Sequence, residues 1–263
     1  SVPEVLPVLP LTDVVVFPGM MAPLRFADER SRRCIDAVAV QDVKMLALVV
    51  RKNDAEKPGP DDLHRVGTAA IVARFARFQA EAVTMILVQG IARIAIDDFV
   101  QEEPFLKARV RELTDEGEAG GTVTALAKAA QAEFQRYVAL MPHLPDELNM
   151  IAQRLVEEPG HLGDFVVSYL NIPLAEKQSV LEMLNIRERL ERAAALLSRE
   201  LQLLELGSKI QKEVQGQLSK TQREYFLREQ LKAIQRELGE GDEREAELND
   251  LREKIKAAKM PAA

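Results

Sequence analysis

The chain has 263 residues, 47% of them hydrophobic and 29% charged, enough to bury a substantial core and to divide into more than one unit. Formal charge is −7, from 35 Lys and Arg against 42 Asp and Glu, and neither half is basic, which weighs against a phosphate-binding face and so against nucleic acid. One cysteine, Cys34, excludes an internal disulfide framework and fits the cytoplasm, no apolar run approaches the roughly 20 residues of a membrane span, and Ser1-Val2-Pro3-Glu4 lacks the basic start of a secretory signal.

Up to about residue 113 the pattern is short strands, one helix and Gly/Pro punctuation. Val14–Phe17 is a β-branched and aromatic run of strand length that ends at Pro18-Gly19. Asp28-Glu29-Arg30-Ser31 then opens a helical pattern with Cys34, Ile35, Val38 and Ala39 on one face, which places Cys34 in the core. Met45–Val50, Ala69–Phe78 and Val83–Val88 read as strands, most of them buried on both faces. Lys52 to Asp62, with Pro58-Gly59-Pro60, reads as an exposed loop. Gln79-Ala80-Glu81 stands at hairpin spacing, and Gly90 interrupts an apolar run where a bulge would let a sheet curl. From Leu106 to Arg111, apolar Leu106, Ala108 and Val110 alternate with Lys107, Arg109 and Arg111, the period of a half-buried strand. A small, partly closed β-barrel over residues 1–116 follows.

Thr114 to Gly121, rich in glycine and acids, reads as a linker. Leu126, Ala130, Phe134, Tyr137 and Val138 recur at helical spacing until Met141-Pro142, a second helix runs from Asp146 to Glu157, and a third from His161 to Tyr169. None of the three hides a face alone, so residues 122–185 are expected to form a small bundle. Leu190, Ala194, Leu197, Leu201 and Leu204 then form a heptad seam, Ile210, Val214, Leu218, Thr221 and Tyr225 approach the eleven-residue period of nearly straight or right-handed packing, and Leu227, Leu231, Ile234 and Leu238 return to heptad steps. A single coiled-coil-like helix over 186–239 would be roughly 80 Å long at about 1.5 Å per residue, more than a domain of this size can cover. Gly207 and Gly216 are candidate bends, Gly239-Glu240-Gly241-Asp242 is the stop, and 243–258 is one more amphipathic helix. The fold class is α+β.

Chemistry-bearing patterns are scarce. His64, His143 and His161 lack metal-ligand spacing, no G-x-x-x-x-G-K-[ST] phosphate loop occurs, and no G-x-S-x-G elbow presents a serine, so no catalytic, cofactor or metal residue is assigned. What remains is surface for proteins. Pro18, Met20, Met21 and Pro23 place adaptable methionines and prolines in a loop just after a strand, a candidate substrate contact, with capping of the barrel core as the plainer reading. Leu218, Tyr225 and Phe226 on the long helix are candidates for assembly or substrate gating, against ordinary packing.

Several segments resemble one family. Leu6-Pro7-Val8-Leu9-Pro10-Leu11-Thr12-Asp13-Val14-Val15-Val16-Phe17-Pro18-Gly19 is similar to the opening of the Lon protease amino-terminal domain, with Thr12 where that family often has Arg. Lys220-Thr221-Gln222-Arg223-Glu224-Tyr225-Phe226-Leu227-Arg228-Glu229-Gln230-Leu231 and the residues to Glu240 resemble the Lon long-helix signature, with Phe226 and Leu231 for the more usual Tyr and Met. Glu157-Glu158-Pro159-Gly160 and Ile172-Pro173-Leu174-Ala175-Glu176-Lys177-Gln178 match as well. The resemblance implies a PUA-like β-rich lobe, a helical lobe and a long helix leading to an AAA+ ATPase and a Ser–Lys protease domain. It further implies recognition of unfolded or degron-bearing proteins, assembly into hexamers, and ATP with magnesium as cofactors of the full-length parent, none of them held by these residues. A freestanding PUA-like peptide- or ligand-binding module and an RNA-binding protein are the competing readings, opposed by the long helix and the acidic balance respectively.

Overall fold

The computed structural model describes residues 2–78, 83–117, 120–237 and 240–257. They fall into two compact units, Ser1–Leu204 and Glu205–Ala263.

The first unit begins with six strands, β1 (Val5–Leu11), β2 (Met21–Phe26), β3 (Met45–Val50), β4 (Val66–Phe78), β5 (Val83–Gln101) and β6 (Lys107–Glu112), with helix α1 (Glu29–Ala39) between β2 and β3. The sheet order is β2-β5-β4-β3-β1-β6, and a further pairing of β5 with β6 closes β1, β3, β4, β5 and β6 into a barrel, leaving β2 as an appended edge strand. The expected bulge at Gly90 is what allows closure. Ala69 pairs with Ala92 and Ala70 with Gly90, so Ile91 is the extra residue, and β5 turns there from β2 toward β6. The strands flanking residues 79–82 pair in hairpin register, Phe78 opposite Val83, while the expected Gln79-Ala80-Glu81 turn itself lies outside the described residues.

Val14–Phe17 is not a strand. Its Val15, Val16 and Phe17 are buried in extended coil, and the chain's first strand is β1, whose Pro7 and Pro10 disguise it. Along β1 the even residues face β6, as the Val8 N–H to Leu106 carbonyl bond of 2.8 Å shows. Pro10 therefore turns its nitrogen toward β6 beyond the Val5–Pro7 ladder, and Pro7 turns its own toward β3 just before the Val8–Leu11 ladder begins. Neither removes a ladder bond.

Alternate residues of the closed strands fill the barrel, among them Leu6, Val8, Ala47, Ile94, Ala108 and Val110. The opposite face of β1, β3 and β4 belongs to a second cluster shared with α1 and the later helices, which is why β3 is buried throughout. α1 is capped by the Asp28 carboxylate, which accepts from the Ser31 N–H at 2.7 Å, and it buries Cys34, Ile35 and Val38 as expected. Burial pushes the Cys34 thiol up to about 12, so it stays neutral and unreactive at physiological pH.

Helices α2 (Gly121–Leu140), α3 (Glu147–Leu155), α4 (Pro159–Tyr169) and α5 (Leu174–Leu181) pack around Phe134, Tyr137, Leu162 and Val166. α5 has no counterpart in the sequence reading, because its eight residues are too few to display a period. α6 runs from Ile186 to Glu237 through both glycines, and α7 spans Glu240–Ala257. The heptad seam divides. Leu190, Leu196, Leu197 and Leu201 are buried inside the first unit, contrary to a seam left bare along its whole length. In the second unit Leu206, Ile210, Val214, Leu227 and Leu231 are each more than half exposed.

Candidate functional site

Pro18 and Gly19 occupy the centre of a type II turn. The Met20 N–H bonds the Phe17 carbonyl at 3.1 Å, and Gly19 takes φ 80°, the left-handed value that this turn needs at its third residue. Gly90 locks the turn onto β5: it accepts from the Gly19 N–H and donates to the Met20 carbonyl, both at 2.9 Å. The turn launches β2, whose residues alternate strictly between exposed and buried.

The candidates from the sequence thus separate. Met21 and Pro23 are not in a loop; they lie on the outward face of β2, with Met21 54% exposed. Met20 is half-buried and packs against the larger core cluster, and Pro18 is half-buried in the turn. Opposite β2, Pro23 faces Leu87 and Arg25 faces Met85, both partly exposed, and Ile71 of β4 lies one strand further across from Gln89. Met21, Pro23, Leu87, Met85 and Ile71 share a sheet face on which Gln89, Arg25 and Arg74 stand between and beside them. Sequence reasoning missed Leu87, Met85 and Ile71. Apolar residues at both odd and even positions of Val83–Val88 read as a strand buried on both sides, and nothing local marks one side as open.

Along β2 runs a cleft of about 780 Å³, shared among β2, the end of β1, the first turn of α1 and the loops around residues 51–58 and 103–106. Met20, Met21, Pro23 and Phe105 supply apolar lining. Arg30 ties the two loops together, donating to the Pro58 carbonyl at 2.8 Å and to the Glu102 carbonyl at 2.5 Å, and Arg51 donates to the Ala55 carbonyl. Arg30 and Arg51 thus brace the loops, and the lining mixes the apolar residues with charged ones, among them Asp13, Arg25, Arg33 and Lys57. No group of His, Cys, Asp and Glu among the described residues could hold a metal ion.

The long-helix candidates stand on α6. Tyr225 and Phe226 are 68% and 61% exposed; the Leu218 side chain lies outside the described residues.

The profile of the ATP-dependent protease La (LON) substrate-binding domain matches residues 5–199. The chain belongs to the Lon protease family. It is 40% identical over 261 residues to the Lon protease of Dictyoglomus thermophilum, covering 99% of this chain and 33% of that protein. It is 36% identical to the Lon protease of Escherichia coli K12, covering 97% of this chain and 32% of that one. The chain thus spans about a third of the length of these Lon relatives. Among solved structures, the N-terminal domain of the Mycobacterium avium complex Lon protease superposes with a TM-score of 0.62 at 25% identity, covering 74% of this chain and 98% of that one. The Lon N-terminal domain protein from Xanthomonas campestris, at 15% identity and a TM-score of 0.52, shares the fold. The α+β architecture expected from the strand and helix patterns is therefore that of Lon N-terminal domains.

Proposed function

We propose that this chain is the substrate-recognition and assembly portion of an ATP-dependent Lon serine protease, and that client polypeptides bind along β2. The observation that carries the reading is Met21, more than half exposed on a sheet face that also carries Pro23, Leu87 and Met85, beside a braced cleft, within a chain whose family profile is a substrate-binding domain. A flexible thioether and flat prolines present apolar area without dictating partner geometry, which suits unfolded or degron-bearing segments of varied sequence. Each contact is weak, and several copies in a hexamer would add by avidity. Unfolding energy and peptide hydrolysis belong to the rest of the full-length parent, where ATP, magnesium and a Ser–Lys dyad are expected. Its setting is the cytoplasm; no helix among the described residues is long and apolar enough to cross a membrane.

Met21→Asp tests the site. The side chain is exposed, so the fold should tolerate the change within about 0.5 kcal/mol. Binding of a reduced, alkylated, fluorescently tagged unfolded protein should weaken roughly tenfold, as for a central apolar contact. An unchanged Kd with an unchanged circular dichroism spectrum removes β2 from the site.

Assembly is the second half of the reading, supported by the exposed apolar residues of the second unit. Tyr225→Glu with Phe226→Glu in the full-length parent should lower the mass seen by multi-angle light scattering, since two charges would enter an apolar contact. The same mass distribution as the unaltered parent would withdraw α6 from assembly.

A further inference from the structure

Four charged side chains far apart in sequence meet inside the first unit: Arg93 on β5, Asp115 on the connector to α2, Asp164 on α4 and Arg189 in the first turn of α6. Arg93, Asp164 and Arg189 are almost wholly buried, and the Asp115 side chain is about one-third exposed. Each arginine forks onto one carboxylate. Arg93 reaches Asp164 at 2.8 and 2.5 Å, and Arg189 reaches Asp115 at 2.8 and 2.5 Å. The pairs are cross-linked, with Arg189 Nε 3.5 Å from Asp164 and Arg93 Nη1 4.0 Å from Asp115. Arg93 Nε also donates to the Leu181 carbonyl at the end of α5, and Arg189 Nη1 to the Met183 carbonyl.

The backbone is shaped to admit this cluster. Gly160 has no room for a side chain: a Cβ there would lie 2.5 Å from Arg189 Nη2 and 2.7 Å from Asp115 Oδ2. Pro159 supplies the first residue of α4, where its missing N–H costs nothing. The connector is clamped as well, since the Glu116 N–H bonds the Leu184 carbonyl and the Ile186 N–H bonds the Glu116 carbonyl, at 2.8 and 2.9 Å.

Two opposed pairs leave no net charge, yet taking charges out of water costs several kcal/mol per buried ion, and apolar residues of similar volume often serve stability equally well. A planar fork does something an apolar contact cannot: it fixes the angle between two elements as well as their distance. We propose that this network is the joint that fixes the first turns of α6 on the β-barrel, and that its role is to set direction rather than to add stability. The inference does not depend on where clients bind.

Hydrogen exchange on the 263-residue chain tests it through Arg189→Met and Arg189→Lys. Lysine keeps the charge but cannot fork. Both variants should exchange roughly tenfold faster over 113–117, 160–169 and 181–192 while β3 and β5 keep their protection. Wild-type protection in Arg189→Lys would show that charge alone suffices and would overturn the joint. So would an even loss of protection across the barrel, which is the signature of a general stability element. Should either variant fail to fold, Asp115→Asn, at the partly exposed corner, is expected to give the same selective loosening, and an even loss or none would count against the proposal.

Discussion

Replacing Asp164 by alanine is expected to destabilise the first unit by about 3–5 kcal/mol, the cost of stranding buried charges when one side of an ion pair is removed and not a measure of what the intact network adds. Arg93 and Arg189, 4% and 0% exposed, would then share a dry pocket with Asp115 as their one remaining carboxylate in the network. Neither arginine can give up its proton, and Arg93 would keep only its bond to the Leu181 carbonyl and the 4.0 Å contact with Asp115. The carboxyl being removed is itself held at a cost. Burial pushes Asp164 above its ordinary value despite the opposing charges and hydrogen bonds of the arginines. In Asp115, burial also acts upward, but the hydrogen bonds and charge of Arg189, then the charge of Arg93, outweigh it and hold the carboxyl below its ordinary value. Urea denaturation would report the loss as a shift of midpoint, and a loss under about 1 kcal/mol would mean that water already reaches the arginines.

Gly90→Ala is the second large effect, expected at about 3 kcal/mol, the upper end for overpacking. The new Cβ would stand 2.3 Å from the Phe17 carbonyl oxygen and 3.2 Å from Thr68 Cγ2. Neither side can give: Phe17 is 1% exposed, and its turn is tied to β5 by the two backbone bonds through Gly90 itself. At Gly160, by contrast, the atoms met are the ends of the forked Arg189 and Asp115 side chains rather than backbone. Thermal unfolding of Gly90→Ala should therefore fall well below the unaltered chain. Because the same turn aims Met20 and Met21, client binding should weaken at temperatures where the variant is still folded. A melting temperature within a degree or two would show that β5 can shift its bulge.

Where periodicity carries information, the structure agrees with the sequence. β3 matches its expected bounds, β6 alternates as Ala108 and Val110 require, and α1 begins at its Asp28 cap with Cys34 turned inward. Short, doubly constrained elements were illegible for physical reasons. β1 carries two prolines that look like strand breakers until the ladders on either side are known to end where their nitrogens point. α5 is too short to show a period, although its Gln178 side chain donates to the Val66 carbonyl at 3.0 Å and helps seat the helices on the barrel. Asp115 sits in a segment whose glycines and acids read as a linker, and no local signal says that one of those acids is half of a fork.

Half of the candidate site was legible and half was not. Met21 and Pro23 were singled out by composition alone, but a local reading took them for a loop, since an edge strand that opens with methionine and proline has little β-propensity. Met85, Leu87 and Ile71 were invisible because exposure of one face depends on what else packs there. The seam of α6 makes the same point in reverse: Leu197 and Leu231 belong to one apolar stripe, yet the first is fully buried and the second 57% exposed.

By itself, the amino-acid order determined what depends on neighbours along the chain: the periods of strand and helix, the helix start at Asp28, and the motifs that mark the Lon family. Tertiary structure alone decided which apolar residues meet water, where β5 bends, and which four charges find one another across gaps of up to 96 positions between Arg93 and Arg189. Local conformational preference is a short-range energy written in a few adjacent residues, whereas burial and charge pairing are set by what the rest of the chain brings alongside.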